Sequence, residues 1–109
     1  MDVNAENIRS QMRKGVLEYC ILSILNRKES YASSIIEELK AANMIVVEGT
    51  LYPLLIRLKN QGLLSYRWEE STQGPPRKYY CITDDGRSQL VEMDASWNDL
   101  VETIETLKK

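Results

Sequence analysis

The stretch from Thr50 to Thr83 leaves this chain little choice of fold. Leu51, Leu54, Leu55 and Leu58 recur at three- and four-residue spacing, which places them on one face of a helix. Gly62 follows where a helix can stop in the left-handed conformation. The period then changes to two: Leu64, Tyr66 and Trp68 alternate with Ser65, Arg67 and Glu69, as in a strand. Ser71 to Pro76 is a polar stretch containing Gly74, Pro75 and Pro76 and reads as a turn, after which Lys78 to Thr83 returns as a second strand. A helix, an abrupt stop and a hairpin, preceded closely by another short helix, predict a winged helix-turn-helix.

The flanking segments fit that frame. Asn4 to about Asn26 reads as one long helix, with Ile8, Met12, Val16, Tyr19, Cys20, Ser23 and Ile24 on one face and Leu17, Ile21 and Leu25 on a second stripe. A helix apolar on two sides touches two things, here its own domain and a partner chain. Gly15 is its weak point, costing about 1 kcal/mol against alanine in a helix interior. Ser30 is placed to cap a second helix from Tyr31 to about Asn43, with Ala32, Ile35, Ile36 and Leu39 inward. Met44 to Val47 is a short apolar link. The third helix starts near Glu48 or Gly49 and ends at Gln61, with Pro53 in its first turn, where a missing N–H costs little. Thr83 or Asp84 caps the last helix, which runs to about Leu107. In it Leu90, Met93, Trp97, Leu100, Ile104 and Leu107 step by alternating threes and fours, an unbroken seam for helix pairing.

The expected fold class is mainly α with a small β-hairpin (α+β): a winged helix-turn-helix carrying a long C-terminal dimerisation helix. Residues 1–83 would form the DNA-binding unit and residues 84–109 the dimerisation helix, in one compact body. The expected dimer interface is Ile8, Met12, Val16, Leu90, Met93, Trp97, Leu100 and Ile104, giving a homodimer.

Composition narrows the function classes. The chain has no histidine, the commonest general base and metal ligand. Its cysteines, Cys20 and Cys81, lie inside apolar patterns without metal-ligand spacing, so they read as buried free thiols. No catalytic residue, metal or cofactor is expected. No apolar run approaches the ~18 residues of a membrane span, and Asp2, Asn4 and Glu6 replace the cationic start of a signal peptide. A cytoplasmic location with no membrane partner follows. The net charge of −2 argues mildly against nucleic acid, but binding depends on where the basic groups sit. Arg57, Lys59, Arg67, Arg77 and Lys78 face only Glu69 and Glu70 across the middle of the chain. Acidic residues dominate after Asp84. A basic reading face on an acidic body fits double-stranded DNA.

In a helix-turn-helix the second helix of the pair enters the major groove with its N-terminal residues against base edges. Here those are Gly49, Thr50, Tyr52 and Pro53, with Arg57 one turn on. Thr50 and Tyr52 can hydrogen-bond phosphate or base, and Pro53 can pack on a thymine methyl. The bland alternative makes Tyr52 a core residue and Thr50 a simple cap. Arg77 and Lys78 follow the stiff Gly74-Pro75-Pro76 and would meet the DNA backbone, unless they are ordinary solvated charges. Tyr79 and Tyr80 point to opposite faces of their strand, one into the core and one outward. Trp97 at mid-seam is either a dimer-core residue or one wall of a slot for a planar apolar ligand, with Met12, Tyr19 and Met93 as candidate lining. The competing function class is a winged-helix protein-interaction module without DNA affinity. Salt-dependent binding to random duplex separates the two.

These residues resemble the PadR family of transcriptional regulators, and within it the short, LmrR-like multidrug-sensing subgroup. Thr50-Leu51-Tyr52-Pro53-Leu54-Leu55 with Arg57-Leu58 and Gly62-Leu63-Leu64 is similar to the family's recognition-helix signature. Gly74-Pro75-Pro76-Arg77-Lys78-Tyr79-Tyr80 with Ile82-Thr83 and Gly86 resembles its wing and exit, and Ser96-Trp97 resembles the tryptophan of the subgroup's drug pore. The resemblance covers nearly the whole chain. It implies a homodimer with interleaved first and last helices, binding to an inverted-repeat operator, and repression relieved by small aromatic compounds. It also implies phosphate contact from Tyr31 at the start of the second helix, with Ser33 and Ser34 as further candidate DNA-binding residues. There the chain reads Tyr31-Ala32-Ser33-Ser34 where the family often has a Tyr-Gly-Tyr-Glu type start. The long C-terminal effector region of larger members is expected to be absent.

Overall fold

The computed structural model describes the backbone of residues 2–109 and the side chains of residue 5 and residues 7–109. Among the described residues there are five helices and one antiparallel hairpin: α1 Asp2–Lys14, α2 Leu17–Arg27, α3 Ala32–Ala41, α4 Glu48–Asn60, β1 Leu64–Ser71, β2 Gly74–Ile82 and α5 Asp84–Leu107. This is the winged helix-turn-helix in an α+β frame that the pattern predicts.

The first helix is not continuous. It breaks at Gly15-Val16, where Val16 adopts φ −115° and ψ 0°, and Val16 N–H donates to the Arg13 carbonyl at 3.0 Å. The physical reason lies in what each half buries. Leu17, Ile21, Leu22, Ile24 and Leu25 of α2 are buried, whereas Ile8 and Met12 of α1 are 60% and 71% exposed. With Ile8 and Met12 outside the core, the glycine's propensity cost is not overridden.

The core is the stripe of α4 laid against α2 and α3. Ile21, Leu22, Ile35, Leu51, Leu55 and Leu58 are fully enclosed, and Leu39, Leu64, Tyr80, Ile82 and Leu90 complete the cluster. Each such side chain stabilises the fold by about 1.5–3 kcal/mol relative to leaving it in water. Leu54 is only partly buried at the edge of the stripe.

Two left-handed residues end α3 and α4 in the same way. Asn43 has φ +67° and Gly62 has φ +78°. At each end the paired 6→1 and 5→2 hydrogen bonds form: Met44 N–H to Leu39 and Asn43 N–H to Lys40, then Leu63 N–H to Leu58 and Gly62 N–H to Lys59. The α3 start differs from the expected cap. Tyr31 holds the N-cap position without a side-chain bond. Ser30 is instead buried and exchanges two backbone bonds with Tyr80, at 3.0 and 2.9 Å. That bridge fixes the α2–α3 turn to the hairpin, so the serine's place is set by strand pairing and not by capping. Pro53 also lies deeper than expected, in the second turn of α4. It withholds a bond from the Gly49 carbonyl; both residues are exposed, so solvent can serve that carbonyl.

The hairpin is tighter than the sequence suggests. Ser71 pairs with Gly74, so the turn is Thr72-Gln73 alone, and Pro75, Pro76 and Arg77 lie within β2. A two-stranded ribbon has only edges, and an edge tolerates proline. Tyr80 is buried and Tyr79 half-buried, on opposite faces as expected. Both cysteines are free, but each is half-buried and not enclosed; partial burial raises the Cys20 thiol pKa above its ordinary value.

The start of α5 is clamped to the end of α4. Thr83 caps the helix, its hydroxyl accepting from Gly86 N–H at 3.0 Å and donating to the Gly62 carbonyl at 2.7 Å. Thr83 N–H donates to the Leu63 carbonyl at 3.1 Å. Further along, the Tyr19 hydroxyl of α2 donates to Asp94 Oδ1 at 2.5 Å. That bond raises the Tyr19 phenol pKa above its ordinary value. Beyond this point α5 runs bare: Trp97, Leu100, Val101 and Ile104 are 41–54% exposed and Leu107 80%. Among the described residues no helix is long and apolar enough to cross a membrane.

Candidate nucleic-acid interface

The N-terminal turns of α3 and α4 and the middle of the hairpin enclose an open groove of about 280 Å³, lined by Tyr31, Ser33, Tyr52, Trp68, Pro76, Arg77, Lys78 and neighbouring residues. It brings together five of the side chains expected at DNA: Tyr31, Ser33, Tyr52, Arg77 and Lys78. The helix-turn-helix supplies the first three. The short α2–α3 turn, pinned to Tyr80, holds Tyr31 over the hairpin, where its ring meets Tyr79 edge-on at 4.8 Å.

The two wing cations are held by aromatic faces. The Arg77 guanidinium lies 4.0 Å from the centre of the Tyr31 ring. The Lys78 ammonium lies 4.4 Å from the Tyr66 ring and 5.5 Å from that of Trp68. Such stacking stabilises each cation by about 0.5–1 kcal/mol at an exposed site and restricts its motion. Presenting the pair to a phosphate chain therefore costs less side-chain entropy. Arg77 and Lys78 lie on the strand next to Gly74-Pro75-Pro76, not at the turn itself. The neighbouring Arg67 is committed elsewhere. It pairs with Glu29 at 3.0 Å and Glu69 at 3.1 Å, and its pKa is raised, chiefly by Glu29. Tyr52 is 42% exposed, so it is not a core residue. Burial raises the pKa of Tyr80 beneath it, with Tyr52 and Tyr66 adding to the shift.

Four expected residues fall outside this groove. Pro53 is exposed beside Tyr52, and Ser34 is half-buried on α3. Thr50 lies on the other edge of α4, exposed and facing Arg13, Lys14 and Leu17. Arg57 is ion-paired with Glu18 of α2. Helical geometry explains the split: Thr50 and Tyr52 are about 200° apart around the axis, whereas Thr50 and Arg57, seven residues apart, point almost the same way. Sequence reasoning missed Trp68 and Pro76 as lining. Trp68 could have been found from register, since a strand partner of Lys78 on the Tyr66 face must share its surroundings.

A second groove, of about 290 Å³, lies between α2, α4 and α5, lined by Val16, Glu18, Tyr19, Arg57, Met93, Trp97 and neighbours. The Tyr19 and Trp97 rings are 6.4 Å apart, tilted by 49°. Three of the four residues expected at an effector (Tyr19, Met93 and Trp97) meet here, while Met12 stands on α1 away from it. Among the described residues no group of His, Cys, Asp or Glu could hold a metal ion.

The family model described as the transcriptional regulator PadR-like family matches residues 21–92. The chain belongs to the PadR family. A PadR-like transcription factor from Bacteroides fragilis is 62% identical, with a TM-score of 0.80 over 93% of this chain and 98% of that one. A PadR family transcriptional regulator from Eggerthella lenta is 33% identical, with a TM-score of 0.92 over 99% and 95%. A PadR-like regulator from Bacillus cereus is 41% identical, with a TM-score of 0.78 over 91% and 97%. This PadR-family chain is therefore a DNA-binding transcriptional regulator and not an enzyme, and the α3–α4–hairpin groove is its candidate DNA surface.

Proposed function

We propose that this PadR-family protein is a cytoplasmic homodimeric repressor that occupies an inverted-repeat operator and leaves it when a planar aromatic compound binds. The observation that carries the reading is the bare apolar seam of α5. A helix of 24 residues, about 36 Å long, exposes Trp97, Leu100, Ile104 and Leu107 on one side. Water is a poor solvent for such a stripe, and a second copy of the same stripe is its natural cover. Leu90 and Met93 continue the seam into the domain, and Val16, Ile8 and Met12 supply the facing apolar residues of the first helices. Residues 1–83 then act as the reading unit and residues 84–109 as the dimerisation helix.

Two such units joined near mid-α5 can present two recognition helices one DNA turn apart, ~34 Å, to two half-sites. Tyr31, Ser33, Tyr52, Arg77 and Lys78 make the contacts, with Ser34, Thr50 and Pro53 at the margin. The effector slot forms where Trp97 of each chain approaches the seam, with Tyr19 and Met93 beside it. A ligand there releases DNA only if it prefers one dimer geometry over the other. Glu18 and Arg57 border that slot, so the end of the recognition helix feels it directly.

Tryptophan fluorescence with planar cationic dyes tests the reading, with Trp97→Ala as the variant. The expected result is quenching at micromolar dye in the wild type, its loss in Trp97→Ala, and a weaker hold on duplex DNA when dye is bound. Dye binding that survives Trp97→Ala removes the effector role and leaves Trp97 as a packing residue.

A further inference from the structure

Trp68 is the largest side chain on the hairpin, and the fold makes little use of it. It is 61% exposed. Its described ring contacts are an edge-on approach to Tyr66, at 6.1 Å and 87°, and the Lys78 ammonium. It lies directly across from Lys78 in the strand register, on the wall of the groove that also holds Tyr31, Tyr52, Pro76 and Arg77. No aspartate or glutamate lines that groove. An exposed indole on a two-stranded ribbon gains nothing from burial, so its position asks for a partner outside the chain.

We propose that Trp68 is a DNA-contacting residue, its ring packing on the deoxyribose edge of one strand while Lys78 and Arg77 meet the adjacent phosphates. The inference rests on the DNA-binding reading of this groove and adds to it a residue that carries no charge. A nucleic-acid strand alternates apolar sugars with anionic phosphates. The groove offers both kinds of surface, aromatic and proline walls together with two cations. In a duplex the bases are stacked on one another, so a ring on the wing meets sugars at the groove edge and not base faces. Tyr66 and Lys78 hold the indole to the hairpin, and the residue stays 61% exposed for contact.

The test uses the full chain, a labelled random-sequence duplex at low salt, and the variants Trp68→Phe and Trp68→Ala. Wild-type emission is expected to change on adding duplex, and most of that change to be lost in Trp68→Phe, which leaves Trp97 as the remaining tryptophan. Trp68→Ala is expected to weaken duplex binding roughly tenfold with an unchanged salt slope, because a lost apolar contact with the sugars releases no counterion. Should Trp68→Ala perturb folding, as judged by circular dichroism, the emission change in wild type against Trp68→Phe decides alone. Equal affinity for Trp68→Ala, or an emission change undiminished in Trp68→Phe, overturns the proposal while leaving the DNA-binding reading intact. Quenching of Trp68 by an acidic peptide, with DNA affinity unchanged in the variants, assigns the surface to a protein partner and also overturns it. Failure of the wild type to bind any duplex removes the DNA-binding reading itself, and this proposal with it.

Discussion

Replacing Gly86 with alanine tests how the last helix is attached. A Cβ at this position would sit 2.2 Å from the Leu63 carbonyl oxygen and 2.6 Å from Ile82 Cγ1. The oxygen is backbone and cannot step aside freely, because it accepts from Thr83 N–H at 3.1 Å. The preceding carbonyl, Gly62, is held by the Thr83 hydroxyl at 2.7 Å. Overpacking typically costs about 1–3 kcal/mol, and a rigid backbone neighbour puts this site at the upper end. Straining the Thr83–Leu63 bond adds about 1 kcal/mol. Alanine returns up to about 1 kcal/mol through helix propensity. The net expectation is a loss of about 2–3 kcal/mol, or roughly 10–20 °C in melting temperature. Urea unfolding followed by circular dichroism, at one fixed protein concentration, measures it. Two further glycines calibrate the result. Gly62 has open space around it but φ +78°, so Gly62→Ala should cost about 1 kcal/mol from backbone strain alone. Gly49 has nothing within 4 Å and helical backbone, so Gly49→Ala should be neutral or stabilising by up to about 1 kcal/mol. A Gly86→Ala protein within about 0.5 kcal/mol of wild type would refute the close-approach argument.

Other outcomes follow from the seam and the groove. Leu100→Lys combined with Ile104→Lys should convert the proposed dimer to monomer or unfolded chain by sedimentation. A wild type that sediments as a folded monomer at micromolar concentration would defeat the dimer proposal. Tyr52→Phe should leave the unfolding curve within about 0.5 kcal/mol of wild type and weaken DNA binding by about two- to tenfold through the lost hydroxyl; a shift confined to stability would make Tyr52 a structural residue.

Most of the fold is legible in the sequence because its signals are periodic. The Leu51–Leu58 stripe, the Gly62 stop, the alternation from Leu64 to Trp68 and the Thr83 cap all describe local geometry, and each lies where the pattern puts it. The departures come from balances between local and tertiary terms. Gly15 breaks a helix because Ile8 and Met12 of α1 lie outside the chain's own core and do not oppose the break. The hairpin turn shrinks to Thr72-Gln73 because an edge strand accommodates Pro75 and Pro76. Ser30 leaves its capping role for a backbone bridge to Tyr80, a contact fifty residues away along the chain. The candidate site was half visible. Residue type pointed to Tyr52, Arg77 and Lys78 and the family resemblance to Tyr31, but only angle around α4 separates Tyr52 from Arg57, and only register brings Trp68 to Lys78.

The most direct test of the account is the salt dependence of duplex binding, for the wild type and for Arg77→Ala combined with Lys78→Ala. Two wings with two cations each would neutralise about four phosphates, a contribution of about −3.6 to the slope of log K against log salt. The account predicts a wild-type slope at least that steep. The double variant should bind all sequences more weakly, with a slope flatter by about three to four units. Binding with no salt dependence, or a slope that the double variant leaves unchanged, would contradict it.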